Sequence, residues 1–82
     1  ENQPLVLSDI GAQLAAGDRR IIGVMVESNL RAGRQELVEG SSLVYGQSIT
    51  DGCIDWDTTV VALEALAASV IERRAATNQA VA

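Results

Sequence analysis

Hydrophobic residues recur at helical spacing in two segments of the chain, one near each end. In the first segment they lie three and four positions apart, which predicts a helix over residues 4–16. Its apolar face consists of Leu7, Ile10 and Leu14. Pro4 suits the first turn of this helix, and Gly17, which follows it directly, is a common helix terminator.

The second periodic segment is the clearer of the two, with hydrophobic positions at alternating intervals of four and three. These positions are Trp56, Val60, Leu63, Ala67 and Val70, and Leu66 and Ile71 widen the stripe. Either Asp55 or Asp57 can cap the N-terminus of this helix. Arg73 and Arg74 in its last turn suit the negative end of the helix dipole and are not expected to bind a ligand. We predict that the tail over residues 75–82 frays.

Between the two helices, residues 21–28 (IIGVMVES) form an apolar run that ends in one carboxylate, Glu27. The run is too short to cross a membrane and predicts a strand buried on both faces, as in parallel sheets. Ligands and catalytic groups collect at the carboxyl ends of such strands, which makes Glu27 a candidate site residue. On the residues alone, Glu27 could also be no more than the first solvated position after a core strand.

A long irregular segment follows over residues 28–46, in which glycine recurs. Connections of this length inside a compact domain are usually functional loops or disordered linkers. The apolar residues Leu43, Val44 and Tyr45 could anchor the segment. This anchor favours an ordered loop over a mobile linker.

Residues 47–56 (QSITDGCIDW) allow two interpretations. The pair Asp51-Gly52 between short apolar pairs is a signal for a hairpin turn. Alternatively, residues 48–50 form a short parallel strand with Asp51 at its carboxyl end. The residues leave both interpretations open.

Composition limits the fold and the class of partner. With 82 residues, 48% of them hydrophobic and none of them phenylalanine, the chain can form at most one domain, whose core is built from Val, Leu, Ile and Ala. The net charge of −5 argues against nucleic acid as a partner, because a phosphate-binding surface needs clustered basic groups. We find neither an apolar stretch of about 18 residues nor a basic leader, so we expect no membrane partner and a cytoplasmic location.

The inventory of reactive side chains is short. The chain has no histidine, which makes a nucleophile–base triad improbable, and no glycine-rich phosphate loop of the usual spacing. Two carboxylates remain, Glu27 and Asp51, which would lie near one another if their segments were neighbouring parallel strands. They could then share a divalent cation, although such a cation needs about four to six ligands. The lone Cys53 is more often a small buried hydrophobe than a third ligand.

Taken together, these motifs resemble a known enzyme family. The runs GVMVESNL (residues 23–30) and YGQSITDGCIDW (residues 45–56), with Gly33 and Gln35 between them and a final helix that ends in ERR, are similar to the C-terminal end of type I 3-deoxy-D-arabino-heptulosonate 7-phosphate (DAHP) synthases. The resemblance extends from the first helix to about Arg74. It includes the interval between the two acids, 51 − 27 = 24 positions.

The resemblance implies an α/β fold, the (β/α)8 TIM barrel, of which residues 1–82 would be the C-terminal part of the single domain. The chain would carry two parallel strands, two main helices and one long loop, and would be incomplete by itself. A barrel of this kind takes about 250 residues.

The resemblance also implies a divalent metal, often manganese, with iron, cobalt or zinc as alternatives. In the family a cysteine, a histidine, a glutamate and an aspartate hold it; Glu27 matches the glutamate and Asp51 the aspartate. The matching histidine and cysteine would lie before residue 1, so Cys53 is not that ligand, and we expect the isolated chain to hold no metal. Asn29 and Arg34 depart from the residues common in the family, and neither matches a ligand.

Two hypotheses about function follow. The parent protein would be a phospho-2-dehydro-3-deoxyheptonate aldolase that condenses phosphoenolpyruvate with erythrose 4-phosphate in the first step of the shikimate pathway, and the isolated chain would be inactive. The alternative is a non-catalytic α/β oligomerisation module. Unpaired sheet edges would favour pairing between copies, so we expect a homo-oligomer.

Overall fold

The computed structural model describes residues 2–81, with side chains described for residues 2–76, and its regular elements are two helices. Helix α1 spans Gln3–Ala15 and helix α2 spans Trp56–Val81. Both helices were predicted, but α2 continues beyond Arg74, where the sequence pattern ends. The backbone is helical up to Val81, residue 82 lies outside the described residues, and the fraying of this tail stays a prediction.

Helix α1 begins and ends one residue before the predicted bounds. Pro4 lies in the first turn, where its missing N–H removes no hydrogen bond. At the other end Gly17 has a φ of 100°, a left-handed conformation that glycine adopts without strain. Gly17 N donates to Leu14 O (2.9 Å) and Asp18 N donates to Gln13 O (3.0 Å). These two hydrogen bonds form a Schellman cap.

The core forms where the two helices pack together. Leu7 and Leu14 of α1 and Leu66 of α2 are its buried members, and half-buried residues surround them. Gly11 lies at the close approach of the helices, since a Cβ there would come within 3.1 Å of Ser69 Oγ. The hydrophobic face predicted for α1 is thereby confirmed.

The hydrophobic face predicted for α2 is confirmed in part, because Leu66 is buried and Val70 packs against the core. Trp56, Leu63 and Ile71 of the predicted stripe are exposed, whereas Thr59, which lies outside that stripe, is buried. Helix α2 carries apolar residues on several sides, so its own periodicity does not select one face. The contact with Leu7 and Leu14 selects it.

The predicted strand over residues 21–28 is also wrong for this chain, as is the pair of parallel strands. Residues 2–81 contain no strand ladder, and Ile22 and Met25 are 96% and 82% exposed rather than buried. A strand interior needs hydrogen-bonding neighbours along its length. Here the segment meets a neighbour at one point, the parallel bridge between Ser28 and Ile54.

Neither interpretation of residues 47–56 describes the structure. In a hairpin around Asp51-Gly52, Cys53 would pair with Thr50, but it forms an antiparallel bridge with Gly33 instead. Cys53 N donates to Gly33 O (3.2 Å) and Gly33 N donates to Cys53 O (2.8 Å). The proposed short strand is reduced to a single parallel bridge between Ser48 and Arg34.

The loop over residues 28–46 is held by side-chain amides rather than by the predicted apolar anchor. Tyr45 is 86% exposed, and its apolar neighbours are exposed as well. Gln35 Nε2 donates to Val44 O (2.8 Å) and Gln47 O (2.9 Å), and Gln35 Oε1 accepts from Val44 N (2.9 Å). Gln47 Nε2 donates to Ala32 O (2.9 Å). These bonds fold the loop back on the segment that leads to Asp51.

The whole molecule is elongated. Its extents are 64 × 19 × 16 Å and its radius of gyration is 16.8 Å, whereas a compact domain of this length would have about 12 Å. No helix within the described range has the length and hydrophobicity that crossing a membrane requires.

Candidate functional site

Glu27 lies at the end of the apolar run, and its backbone is fixed on both sides. Gln3 Nε2 donates to Glu27 O (2.9 Å), and Glu27 N donates to Gln3 Oε1 (2.8 Å). Ile54 N also donates to Glu27 O (3.0 Å). The first turn of α1 and the segment before α2 therefore both hold this residue in place.

A hydroxyl pair ties the next residue, Ser28, to α2. Thr59 is 4% exposed, and its Oγ1 donates to Asp55 O (2.8 Å). Ser28 Oγ lies 2.5 Å from Thr59 Oγ1. Because the one hydroxyl proton of Thr59 is directed at the carbonyl of Asp55, Ser28 is the donor in this pair. The chain from Gln3 to Thr59 thus fixes two consecutive residues, Glu27 and Ser28.

Asp55 is the N-cap of α2, which decides between the two predicted caps. Its Oδ1 accepts from Thr58 N (2.8 Å). Hydrogen bonds to the Asp55 carboxylate from the side chain of Thr58, and then from its backbone N–H, hold the pKa of Asp55 below its usual value. The capping carboxylate anchors the same turn of α2 that carries Thr59.

Asp51 is exposed and lies in a bend, not at the end of a strand. The peptide before it is fixed by Arg34, whose Nε donates to Thr50 O (2.7 Å). Cys53 is a buried free thiol whose Sγ donates to Asp51 O (3.6 Å). Its burial agrees with the interpretation of Cys53 as a small hydrophobe.

The segments that carry Glu27 and Asp51 meet at the parallel bridge between Ser28 and Ile54. Ser28 lies one position after Glu27, and Ile54 lies three positions after Asp51. Carboxylates are the hard oxygen donors that Mn²⁺ accepts, so the donor type fits a divalent metal. The number of donors does not fit a metal site, because the described part of the chain contains no group of three or more His, Cys, Asp or Glu residues that could hold a metal ion. A metal bound by Glu27 and Asp51 would therefore need further ligands from outside these residues.

A cleft of about 380 Å³ between α1 and α2 is a separate feature. The residues that line it are small or apolar, none of them is charged, and neither Glu27 nor Asp51 is among them. Its lining offers no acid, base or metal ligand of the usual kinds, so the cleft is not part of the candidate site.

Two residues that position the site were missed by the sequence analysis. Gln3 lies four positions before Leu7 and so shares the buried face of α1, which was the available signal. Arg73 lies seven positions after Leu66 on the buried face of α2, and its Nη1 donates to Asp18 O (3.1 Å) and Ile21 O (2.7 Å). Arg73 therefore fastens the start of the apolar run to α2, a role that the helix dipole alone did not indicate.

Comparison with known proteins gives a consistent result. The sequence profile of the DAHP synthetase I family matches residues 1–64. The phospho-2-dehydro-3-deoxyheptonate aldolase of Haemophilus influenzae is 51% identical over 73 residues, which cover 89% of this chain and 20% of that protein. The Phe-sensitive phospho-2-dehydro-3-deoxyheptonate aldolase of Escherichia coli K12 is 51% identical over 69 residues, which cover 84% of this chain and 20% of that protein.

A solved structure agrees with these relatives. The phospho-2-dehydro-3-deoxyheptonate aldolase from Francisella tularensis SCHU S4 matches with a TM-score of 0.80 at 48% identity, over 87% of this chain and 20% of that one. The chain thus spans about a fifth of the length of the proteins it resembles.

Proposed function

Because this chain belongs to the DAHP synthetase I family, we propose that its parent protein is a phospho-2-dehydro-3-deoxyheptonate aldolase. The reaction is the condensation of phosphoenolpyruvate with erythrose 4-phosphate, the first step of the shikimate pathway. The observation that carries this proposal is the family match over residues 1–64, which include both Glu27 and Asp51. The isolated chain, about a fifth of such an enzyme, is expected to be inactive.

In the parent we propose a (β/α)8 barrel in which this chain is the C-terminal part. The TM-score of 0.80 against a solved relative supports this arrangement. The parallel bridge between Ser28 and Ile54 is the pairing that two adjacent barrel strands would continue. The exposure of Ile22 and Met25 supports it too, because an apolar run in this position would be covered by the remaining strands.

Within that barrel, Glu27 and Asp51 are proposed as two ligands of a divalent metal, with manganese favoured and iron, cobalt or zinc as alternatives. Such a metal supplies Lewis-acid polarisation of the aldehyde carbonyl when it is bound. The chain's own contribution is to present two carboxylates from segments joined at one bridge. Glu27 is offered from a fixed backbone, and Asp51 from a bend braced by Arg34.

The test uses the complete enzyme with isosteric substitutions, Glu27→Gln and Asp51→Asn. Each amide keeps the size of the side chain but loses the negative charge. Changing a residue that only hydrogen-bonds a metal ligand typically costs roughly 10- to 100-fold in metal affinity, so we expect the loss of a ligand itself to lower Mn²⁺ affinity by more than that. Isothermal titration with Mn²⁺ measures this, and turnover should fall in parallel.

Glu64→Gln is the matched control, since Glu64 is an exposed acid of α2 and belongs to neither segment. It should bind Mn²⁺ as the unmodified enzyme does. Unchanged Mn²⁺ affinity and turnover in Glu27→Gln and Asp51→Asn would refute the assignment of both ligands.

For the chain by itself, we propose that copies associate through the apolar run. The backbone groups of residues 22–26 take part in no backbone–backbone hydrogen bond within residues 2–81, which leaves an open edge. Ile22 and Met25 add exposed apolar surface on that edge. Incubation of the purified chain with both substrates and Mn²⁺ separates this function from catalysis, and we expect no product.

A further inference from the structure

The bonds between Gln3 and Glu27 form a closed pair that imitates the pairing of two strands. The carboxamide of Gln3 donates through Nε2 to Glu27 O (2.9 Å) and accepts through Oε1 from Glu27 N (2.8 Å). A side chain here supplies both bonds that the backbone of a neighbouring strand would supply. The link spans 24 positions of sequence and joins the first residue of α1 to the candidate ligand.

Gln3 is held rigidly enough to impose this geometry. It is half-buried, and it lies four positions before Leu7, one of the buried core residues of α1. The helix backbone fixes Cα of Gln3, so the two bonds determine where the N–H and the C=O of Glu27 lie. Both bonds go to backbone atoms of Glu27, and therefore they orient the residue without using its charge.

A second set of contacts shows that this position is over-determined. Ile54 N donates to the same carbonyl oxygen of Glu27 (3.0 Å), and Ser28 is tied to the buried Thr59. Three elements thus converge on two consecutive residues. This convergence fixes the backbone of a half-buried acid, and a metal ligand must be placed within about 0.5 Å of its productive position.

We propose that Gln3 is a positioning residue for Glu27, which sets the approach of this carboxylate to the metal without touching the metal. This inference rests on the proposed function of Glu27 as a ligand. Only a carboxamide of this length supplies a donor and an acceptor together at the required reach. Asparagine is one methylene shorter, and a carboxylate has no proton to donate at neutral pH.

The test is Gln3→Met in the complete enzyme, with Gln3→Glu as a second variant of the same length. Gln3→Met removes both bonds but retains the apolar packing, and Gln3→Glu replaces the donor by a repelling oxygen. Support for a metal ligand is typically worth 10- to 100-fold in affinity, so we expect the Mn²⁺ dissociation constant to rise by about 10- to 100-fold. Isothermal titration measures the constant, and the Mn²⁺ electron paramagnetic resonance spectrum should broaden as the ligand geometry becomes less uniform.

Gln13→Met is the matched control, because Gln13 lies on the exposed face of the same helix and bonds only weakly to Asp9 (3.3 Å). It should leave affinity and spectrum unchanged. Amide hydrogen exchange of the peptide that contains Glu27 should accelerate in Gln3→Met and not in Gln13→Met. Exchange in the middle of α2 should stay unchanged in both variants, which separates the loss of these two bonds from poor folding.

The results for Glu27→Gln and for the Gln3 variants distinguish the role of Gln3 from the role of Glu27 as a ligand. If Glu27→Gln weakens Mn²⁺ binding while Gln3→Met and Gln3→Glu bind with unchanged affinity and spectrum, Gln3 is not a positioning residue and the ligand assignment stands. If Glu27→Gln itself binds normally, both are overturned.

Discussion

At Gly46 the loop comes so close to Leu30 that a side chain has no room. Gly46 has a φ of 80°, and a Cβ there would lie 2.8 Å from Leu30 Cβ, an atom that cannot move without its backbone. The carbonyl of Gly46 also accepts from Arg31 N (2.8 Å), so displacement would break a bond that closes the loop. This residue therefore fixes the two halves of the loop against each other.

We predict that Gly46→Ala destabilises the protein by about 2–4 kcal/mol, the sum of left-handed backbone strain and a steric clash. Gly40→Ala is the matched control, because Gly40 has a φ of 83° but no atom within 4 Å of its Cβ position. The Gly40→Ala variant should be destabilised only by backbone strain, by about 1–2 kcal/mol. Urea unfolding measures the free energy of unfolding of both variants, provided that their m-values are unchanged. Equal losses of this free energy in the two variants would contradict the clash.

Which residues could be found from sequence depends on whether their role is chemical or geometric. Glu27 and Asp51 were singled out because carboxylates at the ends of apolar segments are uncommon, and their spacing then matched a family. Gln3 and Arg73 act through bonds to backbone atoms 24 and 52 positions away, and no local pattern encodes those partners. Their spacing from Leu7 and Leu66 predicts only that they face inward.

At the scale of elements, the start of α2 is set by Asp55. Because hydrogen bonds from Thr58 lower its pKa in the folded chain, the ionised form is favoured by folding. The stabilisation is complete above the ordinary carboxyl pKa of 3.8. It is lost as the pH falls through the lower pKa of the folded state.

We predict that Asp55→Ala lowers the melting temperature at pH 7. The difference in melting temperature between this variant and the unmodified chain should narrow below about pH 4, because the Asp55 carboxyl is then protonated, first in the unfolded chain and at lower pH in the folded one. Thermal unfolding followed by circular dichroism between pH 7 and pH 2.5 tests this. Asp57→Ala in the same turn removes a charge without removing the cap, and it should shift the melting temperature less. A difference that stays constant with pH would show that Asp55 does not cap as a carboxylate.

The helices were predictable as elements and the strands were not, for one physical reason. A helix satisfies its hydrogen bonds within its own segment, so its periodic pattern is sufficient to predict it. A strand needs partners supplied by other segments. Residues 21–27 have a strand composition, yet in this chain they meet a partner only beside Ile54. The face of α2 was likewise decided by α1 and not by α2 itself.

At the scale of the whole molecule, the elongated shape and the exposed apolar run belong together. The accessible surface is 6062 Å², against about 4700 Å² for a compact protein of this mass. The excess is of the order that one partner contributes to a stable interface, about 800 Å² or more. The family could be predicted from sequence because it depends on motifs, whereas this shape depends on which segments are present to cover one another.

We predict that the purified 82-residue chain is a homo-oligomer at micromolar concentration, as measured by light scattering after size-exclusion chromatography. Met25→Lys should shift it toward the monomer, since the charge would be buried between paired edges. Tyr45→Lys changes an equally exposed side chain outside the apolar run and should leave the oligomer intact. A folded monomer in the unmodified chain would contradict association.

The packing of Leu7 and Leu14 against Leu66 also governs the order in which this part of the protein can fold during translation. The core partners are separated by 66 − 7 = 59 positions, and at about 5–20 residues per second the ribosome needs roughly 3–12 s to synthesise that interval. During this time the face of α1 that carries Leu7 and Leu14 lacks its partner on α2. A chaperone that binds short hydrophobic segments would therefore meet this face of α1 before α2 does, so the yield of folded protein should depend on how fast α2 is translated.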